Sequence, residues 1–591
     1  MKMSEAERYD NIGLTLLNQN LVNICDEMAV SMMRTAYSPI FSEGLDFSTL
    51  ILDEHGNLVA TAGLNPAMLG ASLYAANWII QEVGSENFEE GDIWIYNDPY
   101  RGGSHMPEHM MILPIYIDGE IVAYVGNIAH MAEIGGMAAG SFAATATDIY
   151  QEGLRLPPVK LFERGEAIKD IWRVILTNHR TPANSWGDLH AMLGSLYIGE
   201  RRVRQLIEER GVPNIRKSFR QLQDFAEQHI RDEIRELPDG IYCTEDCFDD
   251  DGISDQPYYI RLTMIIDGDR VIFDFTDSDP QAEGAINAPY VVTLSGSLNG
   301  LLYFLGRRLP VNAGVTRAVR VVTNSGTICN VRHPGACVGG QTEYQPKLIE
   351  MIVSGILSKL APARATAGTG NTSLNFLFGG VDPKTHEFFA HYHFEGHGWG
   401  GRLLRDGNSA QIMLHANCRN TPVEIFETRY PWLHHEYSLD GGTAGSGEHR
   451  GGLGVRRDLE VLGDLITVSV LADRGERPPQ GILGGAQGSL TKVLVKRAGR
   501  DEFKDFREEE GSKSLTKFVN VRLKRGDVVR LVSPSGGGYG DALCRDPELV
   551  LTDVKDRFIS REQARKDYGV LISQDLELDV VATQTERNKR R

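Results

Sequence analysis

The sequence predicts an α+β fold of several domains, with mixed and antiparallel sheets and a helical region set apart along the chain. Three observations carry this. Residues 162–237 keep apolar positions at helical spacing through "DIWRVILTN", "DLHAMLGSLYIGERRVRQLIEERG" and "FRQLQDFAEQHIRDEIREL". Two Asp-Gly dipeptides, Asp118-Gly119 and Asp267-Gly268, each separate two apolar strand-like runs, the signal of tight hairpins. After Gly368 the chain is glycine-rich and strand-like as far as "SPSGGGYGDAL". Helical and strand-rich stretches that follow one another, rather than alternate, point to α+β.

Along the chain, residues 6–35 carry Ile12, Leu16, Leu17, Leu21, Ile24, Met28 and Met32 at helical spacing. "FSTLILDEHGNLVAT" reads as strand, His-Gly-Asn turn, strand. "ASLYAANWIIQEVG" is a helix closed by Gly84, and "GDIWIYNDPY" a strand entering a turn. "MMILPIYIDGEIVAYVGNIAH" is the most legible hairpin. Strands resume at "LPDGIYCTEDCFDDDG", and "KLIEMIVSGILSKLAP" interrupts them as a helix. "LTDVKDRFISREQARKDYGV" ends the chain in short helices. The regions predicted are residues 1–160 (α+β with the hairpin), 161–237 (helical), 238–367 (α+β), 368–545 (glycine-rich, strand-dominated) and 546–591 (helical tail).

At 591 residues the chain is too long for one core. Its formal net charge of -19 excludes a general nucleic-acid or acidic-membrane surface. The terminal "ERNKRR" reads as a disordered, solvated basic tail. Seven scattered cysteines suit a reducing compartment, and Cys243-x-x-x-Cys247 lacks the second pair a structural zinc would need. No signal peptide or apolar span is legible, so a cytoplasmic protein is expected.

The candidate chemistry lies at the open end of the hairpin. His105-x-x-Glu108 precedes its first strand and His130-x-x-Glu133 follows its second. With Asp118-Gly119 as a two-residue turn, Pro107 should face His130 and Glu108 should face Ala129. The four side chains then fall within reach of one another. Two imidazoles and a carboxylate suit Zn²⁺, Mn²⁺ or Fe²⁺ with positions left for water or substrate. The fourth group either ligates or orients a histidine through its other ring nitrogen. Asp98, just before, is a further such carboxylate. His109 starts the strand on the other side of Glu108 and is not expected to ligate.

Weaker candidates follow. "HEFFAHYHFEGHGWGGR" holds His391, His393, Glu395 and His397, with His391 and His393 on one strand face. "HANCRNTPVE" offers Arg419, Asn420 and Thr421 as a patch for a carboxylate or amide. The clusters "GTGNTS", "GSGEHRGGLG" and "SPSGGGYGD" lack the phosphate-loop pattern, and their glycines point to tight turns or close backbone approach.

The stretch "NDPYRGGSHMPEHMMILPIYIDGEIVAYVGNIAHMAEIGG" resembles the hydantoinase B/oxoprolinase family. So do "RTAYSPIFSEGLDFSTLILDEHGNLVA", "YQEGLRLPPVKLFERGE", "NHRTPANSWGDLHA", "NCRNTPVEIFETRYP", "SGEHRGGLGVRRDLEV" and "SPSGGGYGD", in the expected order over nearly the whole chain. The resemblance implies a metal held by His105, Glu108 and His130, with Glu where relatives place Asp at positions 108 and 133. It leaves Glu133, with Asp98, as general base or orienting group. "LNPAMLGAS", His393 and His397 depart from the family pattern. Together they suggest a substrate outside the hydantoin and oxoproline set, with His393, His397, Arg419 and Asn420 as substrate contacts. The resemblance further implies a partner of the hydantoinase A type that binds ATP and Mg²⁺ and phosphorylates the substrate carbonyl. The expected activity is ATP-dependent hydrolysis of a cyclic amide. The alternatives are a ketone carboxylase, with a small third subunit, and a non-catalytic metal-binding scaffold.

Overall fold

The computed structural model describes residues 11–62, 65–305 and 310–590. The first helix, Asn11–Thr35, buries Leu14, Leu17, Leu21, Ile24, Met28 and Met32. Ile12 and Leu16 are 75% and 59% exposed, so the buried stripe is narrower than predicted and runs through Leu14. Residues 6–10 lie outside the described residues.

That helix covers one face of a seven-stranded sheet of order β2-β1-β5-β4-β3-β6-β7. Its strands are β1 (Phe47–Asp53), β2 (Leu58–Ala62), β3 (Ile93–Tyr96), β4 (Glu108–Ile117), β5 (Glu120–His130), β6 (Val159–Glu163) and β7 (Glu166–Ala167), paired antiparallel throughout. The long helices Pro182–Arg210 and Val212–Arg235 are segregated along the chain but not in space. Leu189, Met192, Leu196, Val203, Ile215 and Phe219 share one core with Met28, Leu113 and Val125. On the other face, Leu50, Tyr96, Ile112 and Tyr124 meet the helix Tyr290–Leu305 and a second sheet. That sheet, β11-β10-β9-β8, consists of β8 (Gly240–Phe248), β9 (Tyr258–Asp267), β10 (Arg270–Asp274) and β11 (Val319–Val322), the last running parallel to β10.

The helix expected from Lys347 begins at Gly340, opens with a π-helical turn over Gly340–Tyr344 and takes a second one at Met351–Ile356. It carries buried charge. Lys347 and Lys517 flank Asp473 at 2.7 and 2.8 Å, and Arg474 joins Asp246 at 2.7 Å and Glu350 at 3.4 Å. Each buried charge is met by an opposite one, the condition under which ions leave water.

The glycine-rich region contains two sheets. One is β13-β12-β16-β19, from β12 (Asn375–Val381), β13 (Phe388–His393), β16 (Leu465–Leu471) and β19 (Lys517–Lys524). The other is β14-β15-β20-β17-β18, from β14 (Trp432–Leu439), β15 (Val455–Val461), β17 (Lys492–Lys496), β18 (Lys504–Asp505) and β20 (Val528–Val532). Phe376, Phe378, Trp432, Val468 and Leu531 form their shared core. Beside it, extended glycine segments lie side by side, with Gly370 N donating to Gly398 O, Gly398 N to Pro534 O and Gly536 N to Gly452 O, each at 2.9 Å. Tight turns or close backbone approach was the role expected of Gly370, Gly452 and Gly536, and Gly398 shares it. A Cβ at Gly398 would stand 2.0 Å from Gly452 O.

The C-terminal helices pack through Val550, Ala564 and Tyr568. The basic terminus is ordered as far as Arg590, with Arg587 buried while Asn588, Lys589 and Arg590 stay exposed. It forms the helix Val580–Arg590, and Arg587 donates to Tyr568 O and Arg545 O. Among the described residues no helix is long and apolar enough to cross a membrane.

Gly398→Ala should cost more than about 3 kcal/mol, because backbone on both sides must move. Gly194→Ala, in a helix with open space around it, should be neutral or stabilise by up to about 1 kcal/mol. Thermal melting of the two variants checks the contrast.

Candidate functional site: a buried imidazole–carboxylate cavity

The turn residues Asp118 and Gly119 both have positive φ, 50° and 82°, as a two-residue hairpin turn needs. Ile117 faces Glu120 as predicted, but the register shifts at Ile115/Tyr116, where Val122 is an extra residue on β5. Beyond this bulge Glu108 faces His130, not Ala129. The bulge therefore corrects the predicted pairing by one residue and places the carboxylate and imidazole side by side on one face.

His105 Nδ1 donates to Val338 O at 3.1 Å, which leaves Nε2 3.6 Å from Glu108 Oε1. Ser104 Oγ and Gln341 Nε2 donate to the Glu108 carboxylate. The His130 backbone N–H donates to Asp46 O at 3.0 Å, while its ring stacks on Tyr392, centroids 4.7 Å apart. Neither His130 ring nitrogen has a hydrogen-bond partner, and His105 Nε2 has none. These groups surround a cavity of about 20 Å³, to which Asp46, Asn65, Gln341 and His415 also contribute. It has room for one water-sized species.

The electrostatics are those of crowded, dehydrated groups. Burial, and then the Glu108 charge, push the Asp46 carboxyl up to about 7. Burial and then His105 hold His130 well below the usual imidazole range. Burial would lower His105 too, but its contact with Glu108 outweighs this and raises it. No lysine or arginine lines the cavity. Two carboxylates, unpartnered ring nitrogens and no organic cation are a donor set suited to a divalent metal. Among the described residues no three His, Cys, Asp or Glu side chains stand as a ready-made chelate, so the fit rests on donor chemistry and on the unpartnered nitrogens.

The remaining candidates lie elsewhere. Glu133 is buried but accepts from Gly135 N, from Gly140 N at 2.8 Å and from Arg180 Nη1 at 2.9 Å. It organises the loop after β5 and is not in the cavity wall. Asp98 accepts from Tyr100 N at 3.0 Å and pairs with Arg101 at 2.5 Å, again outside the wall. His109 points away and stands against His179, ring centroids 5.9 Å apart.

Of the proposed substrate contacts, His393 and Asn420 come together, while Arg419 and His397 lie apart from them. His391 and His393 do share a strand face, centroids 6.1 Å apart. His393 Nε2 meets Glu395 Oε1 at 3.0 Å, Asn420 Nδ2 donates to Glu395 Oε2 at 3.1 Å, and Arg457 closes the cluster. Arg419 is exposed and contributes its backbone N–H to Gly44 O. His397 sits apart, donating from Nδ1 to Gly398 O at 3.2 Å.

Asp46, Asn65, Gln341, Tyr392 and His415 escaped the sequence reading. Asp46 had a local signal, for it directly precedes β1, whose Phe47 pairs with Ala129 beside His130. Gln341, Tyr392 and His415 had none, since they arrive from the π-helical turn, from β13 and from a loop hundreds of residues away.

Fold and cavity together define the class: a multi-sheet α+β protein with a buried histidine–carboxylate centre. The chain belongs to the hydantoinase B/oxoprolinase family, whose model matches residues 10–542. It is 32% identical to the beta chain of the caprolactamase of Pseudomonas jessenii, over 98% of this chain and 99% of that one. The solved structure of ATP-dependent caprolactamase from that organism matches with a TM-score of 0.89 at 30% identity, covering 98% of this chain and 100% of that one. The B component of a putative D-/L-hydantoinase from a Pseudomonas species is 29% identical over 98% of each chain. Acetone carboxylase in its nucleotide-free structure shares the fold, with a TM-score of 0.89 at 19% identity over 100% of this chain and 84% of that one.

The Glu395 cluster gives a pH test. Burial alone would raise this carboxyl, but Arg457 and then His393 outweigh it and hold it down to about 2, below the 4.5 of a free glutamate. A depressed folded value stabilises above the free value, and that stability is lost as pH falls through the folded one. Glu395→Gln should therefore melt well below wild type at pH 7, by about 3 kcal/mol. The gap should narrow from pH 5 toward pH 2. A gap independent of pH over that range would contradict an ionised Glu395.

Proposed function

We propose that this chain is the metal-dependent component of an ATP-dependent hydrolase of cyclic amides. The observation that carries the reading is the cavity at the hairpin's open end, with unpartnered imidazole nitrogens beside two carboxylates and no organic cation. The names of the relatives, a hydantoinase and a caprolactamase, support the substrate class. Each of those relatives is named as one subunit of its enzyme, which supports a partner, here of the hydantoinase A type. That partner would bind ATP and Mg²⁺ and phosphorylate the amide oxygen.

His105, His130, Glu108 and Asp46 would hold a divalent Zn, Mn or Fe ion. Bound there, the ion supplies Lewis acidity and a water acidic enough to act as nucleophile near neutral pH. The chain's own groups prepare the site. Val338 O fixes the His105 tautomer so that Nε2 faces the cavity. Ser104 and Gln341 fix the Glu108 carboxylate. His415 is hydrogen-bonded to the Gln341 backbone, and its Nδ1 has no partner at the cavity wall. Burial holds its imidazole down to about 3, so the ring stays neutral and its Nδ1 is free to accept a hydrogen bond from a water at the cavity wall. His415 would thus take the orienting role that the sequence suggests for Glu133 or Asp98.

The test is reconstitution with a hydantoinase A-type partner, following ring-opened product and amide-dependent ATP hydrolysis. Turnover should require the metal, ignore bicarbonate and fall at least about 100-fold in His130→Ala and in His415→Ala. His130→Ala should also lose metal, while His415→Ala should keep it. Product formation that depends on bicarbonate would replace hydrolysis by carboxylation. Metal binding without any turnover would leave the scaffold reading.

A further inference from the structure

The acceptor that fixes the His105 tautomer, Val338 O, is a backbone carbonyl, so whatever aims it lies one step further from the cavity. Val338 belongs to a short segment, residues 335–339, that leads into the π-helical turn at Gly340. This segment serves both halves of the centre. Val338 O accepts from His105 Nδ1 at 3.1 Å, and three residues on Gln341 donates to Glu108.

Neighbouring parts of the fold hold the segment at its ends. Pro334 O accepts from Ile149 N at 2.8 Å, Gly335 O from the Tyr100 hydroxyl and Ala336 O from Asn287 Nδ2 at 2.9 Å, while Gly339 N donates to Ala285 O at 2.8 Å. At Cys337 and Val338 the anchor is a single carboxyl. Glu152 Oε1 accepts from Cys337 N at 2.6 Å and from Val338 N at 2.9 Å. Glu152 is itself clamped. It follows the 3₁₀ turn Ile149–Gln151, where Gln151 O accepts from Met137 N at 2.8 Å, and Leu154 N donates to Ile134 O at 3.0 Å. Between them Gly153 takes a φ of 133°, and a Cβ there would stand 2.9 Å from Ile134 O. The clamp ties Glu152 to the loop that follows His130.

Glu152 is completely buried, and its Oε2 has no hydrogen-bond partner. A buried polar atom left unmatched is costly, so a residue kept only to fill this space would be apolar. Burial pushes the carboxyl up to about 8, against the pull of the Val338 and Cys337 N–H groups. A neutral acid offers its one carbonyl oxygen to both donors, and an amide would do so equally.

We propose that Glu152 is a positioning residue of the histidine–carboxylate centre. By pinning the Cys337 and Val338 amides it aims Val338 O at His105 Nδ1, so that Nε2 faces the cavity. It also sets the start of the turn that brings Gln341 to Glu108. The effect on a bound ion rests on the metal reading of the cavity, and the hold on the segment does not.

Three variants of the full chain test it: Glu152→Ala, Glu152→Gln and, as a control, Val495→Ala in the core between the glycine-rich sheets. Two quantities are read: hydrogen–deuterium exchange at the Cys337 and Val338 amides of the metal-free chain, and affinity for Co²⁺ with its visible spectrum. Glu152→Ala should speed exchange at both amides, weaken Co²⁺ binding at least about tenfold and change the spectrum of the bound ion. Glu152→Gln keeps the accepting oxygen and should stay within about threefold of wild type in affinity, with the wild-type spectrum. Val495→Ala destabilises the chain away from the cavity and should leave both readings alone. Glu152→Asp, one methylene shorter, replaces the alanine variant should that chain not fold, and the same losses are expected of it. Unchanged exchange and affinity in Glu152→Ala, Glu152→Gln as weak as Glu152→Ala, or an equal loss in Val495→Ala each overturns the inference. Wild type that binds no Co²⁺ overturns the metal reading, and the exchange rates then still decide whether Glu152 holds the segment.

Discussion

One extra residue in β5, Val122, sets the geometry on which the site depends. Without the bulge, Glu108 would face Ala129. With it, Glu108 faces His130, and the two enter a space from which water is nearly excluded. Burying ionisable groups this densely is unfavourable unless each finds a partner. Much of the surrounding structure supplies such partners. Val338 O holds His105, Ser104 and Gln341 hold Glu108, and Asn65 holds Asp46. The ring nitrogens of His130 and the second nitrogen of His105 stay unmatched, and a cation of the kind proposed would satisfy them.

The partners come from distant layers, which explains why one small cavity involves so much of the chain. The π-helical turn at Gly340–Tyr344 widens the helix where Gln341 and Thr342 reach the wall. Tyr392, stacked on His130, is fixed through its hydroxyl by Asn375, which also donates to Glu343. Burial pushes the Glu343 carboxyl up to about 8. The same helix is anchored at Lys347 by Asp473, which Lys517 of β19 also grips. The hairpin, the π-turn helix and the glycine-rich sheets are thus tied by buried polar contacts that would be costly to leave half made.

What the sequence revealed follows the range of the interactions. The Asp-Gly turn and alternating strands are local, so the hairpin and the convergence of His105, Glu108 and His130 were legible. The bulge is a single insertion with no composition of its own, so the register was read one residue off. Glu133 and Asp98 had the right chemistry near the right place, but backbone N–H groups and arginines claim them. His393 and Asn420 meet at Glu395, a carboxylate whose partner Arg457 lies on another strand. Asp46 and His415 become neighbours of His130 only through tertiary contacts. The basic terminus looked disordered because the carbonyls that receive Arg587 belong to Tyr568, at the end of an earlier helix, and to Arg545, in a loop further back.

Membership of the hydantoinase B/oxoprolinase family and a cavity suited to a divalent ion form one account, in which the hairpin end would bind the ion. Its central claim concerns where the ion sits. Anomalous diffraction from crystals of the purified chain, collected on both sides of the absorption edge of the metal found by elemental analysis, locates it directly. The account requires a single strong peak among His105, His130, Glu108 and Asp46. A peak at the His393–Glu395 cluster, or a fully occupied metal anywhere outside the hairpin cavity, would contradict it.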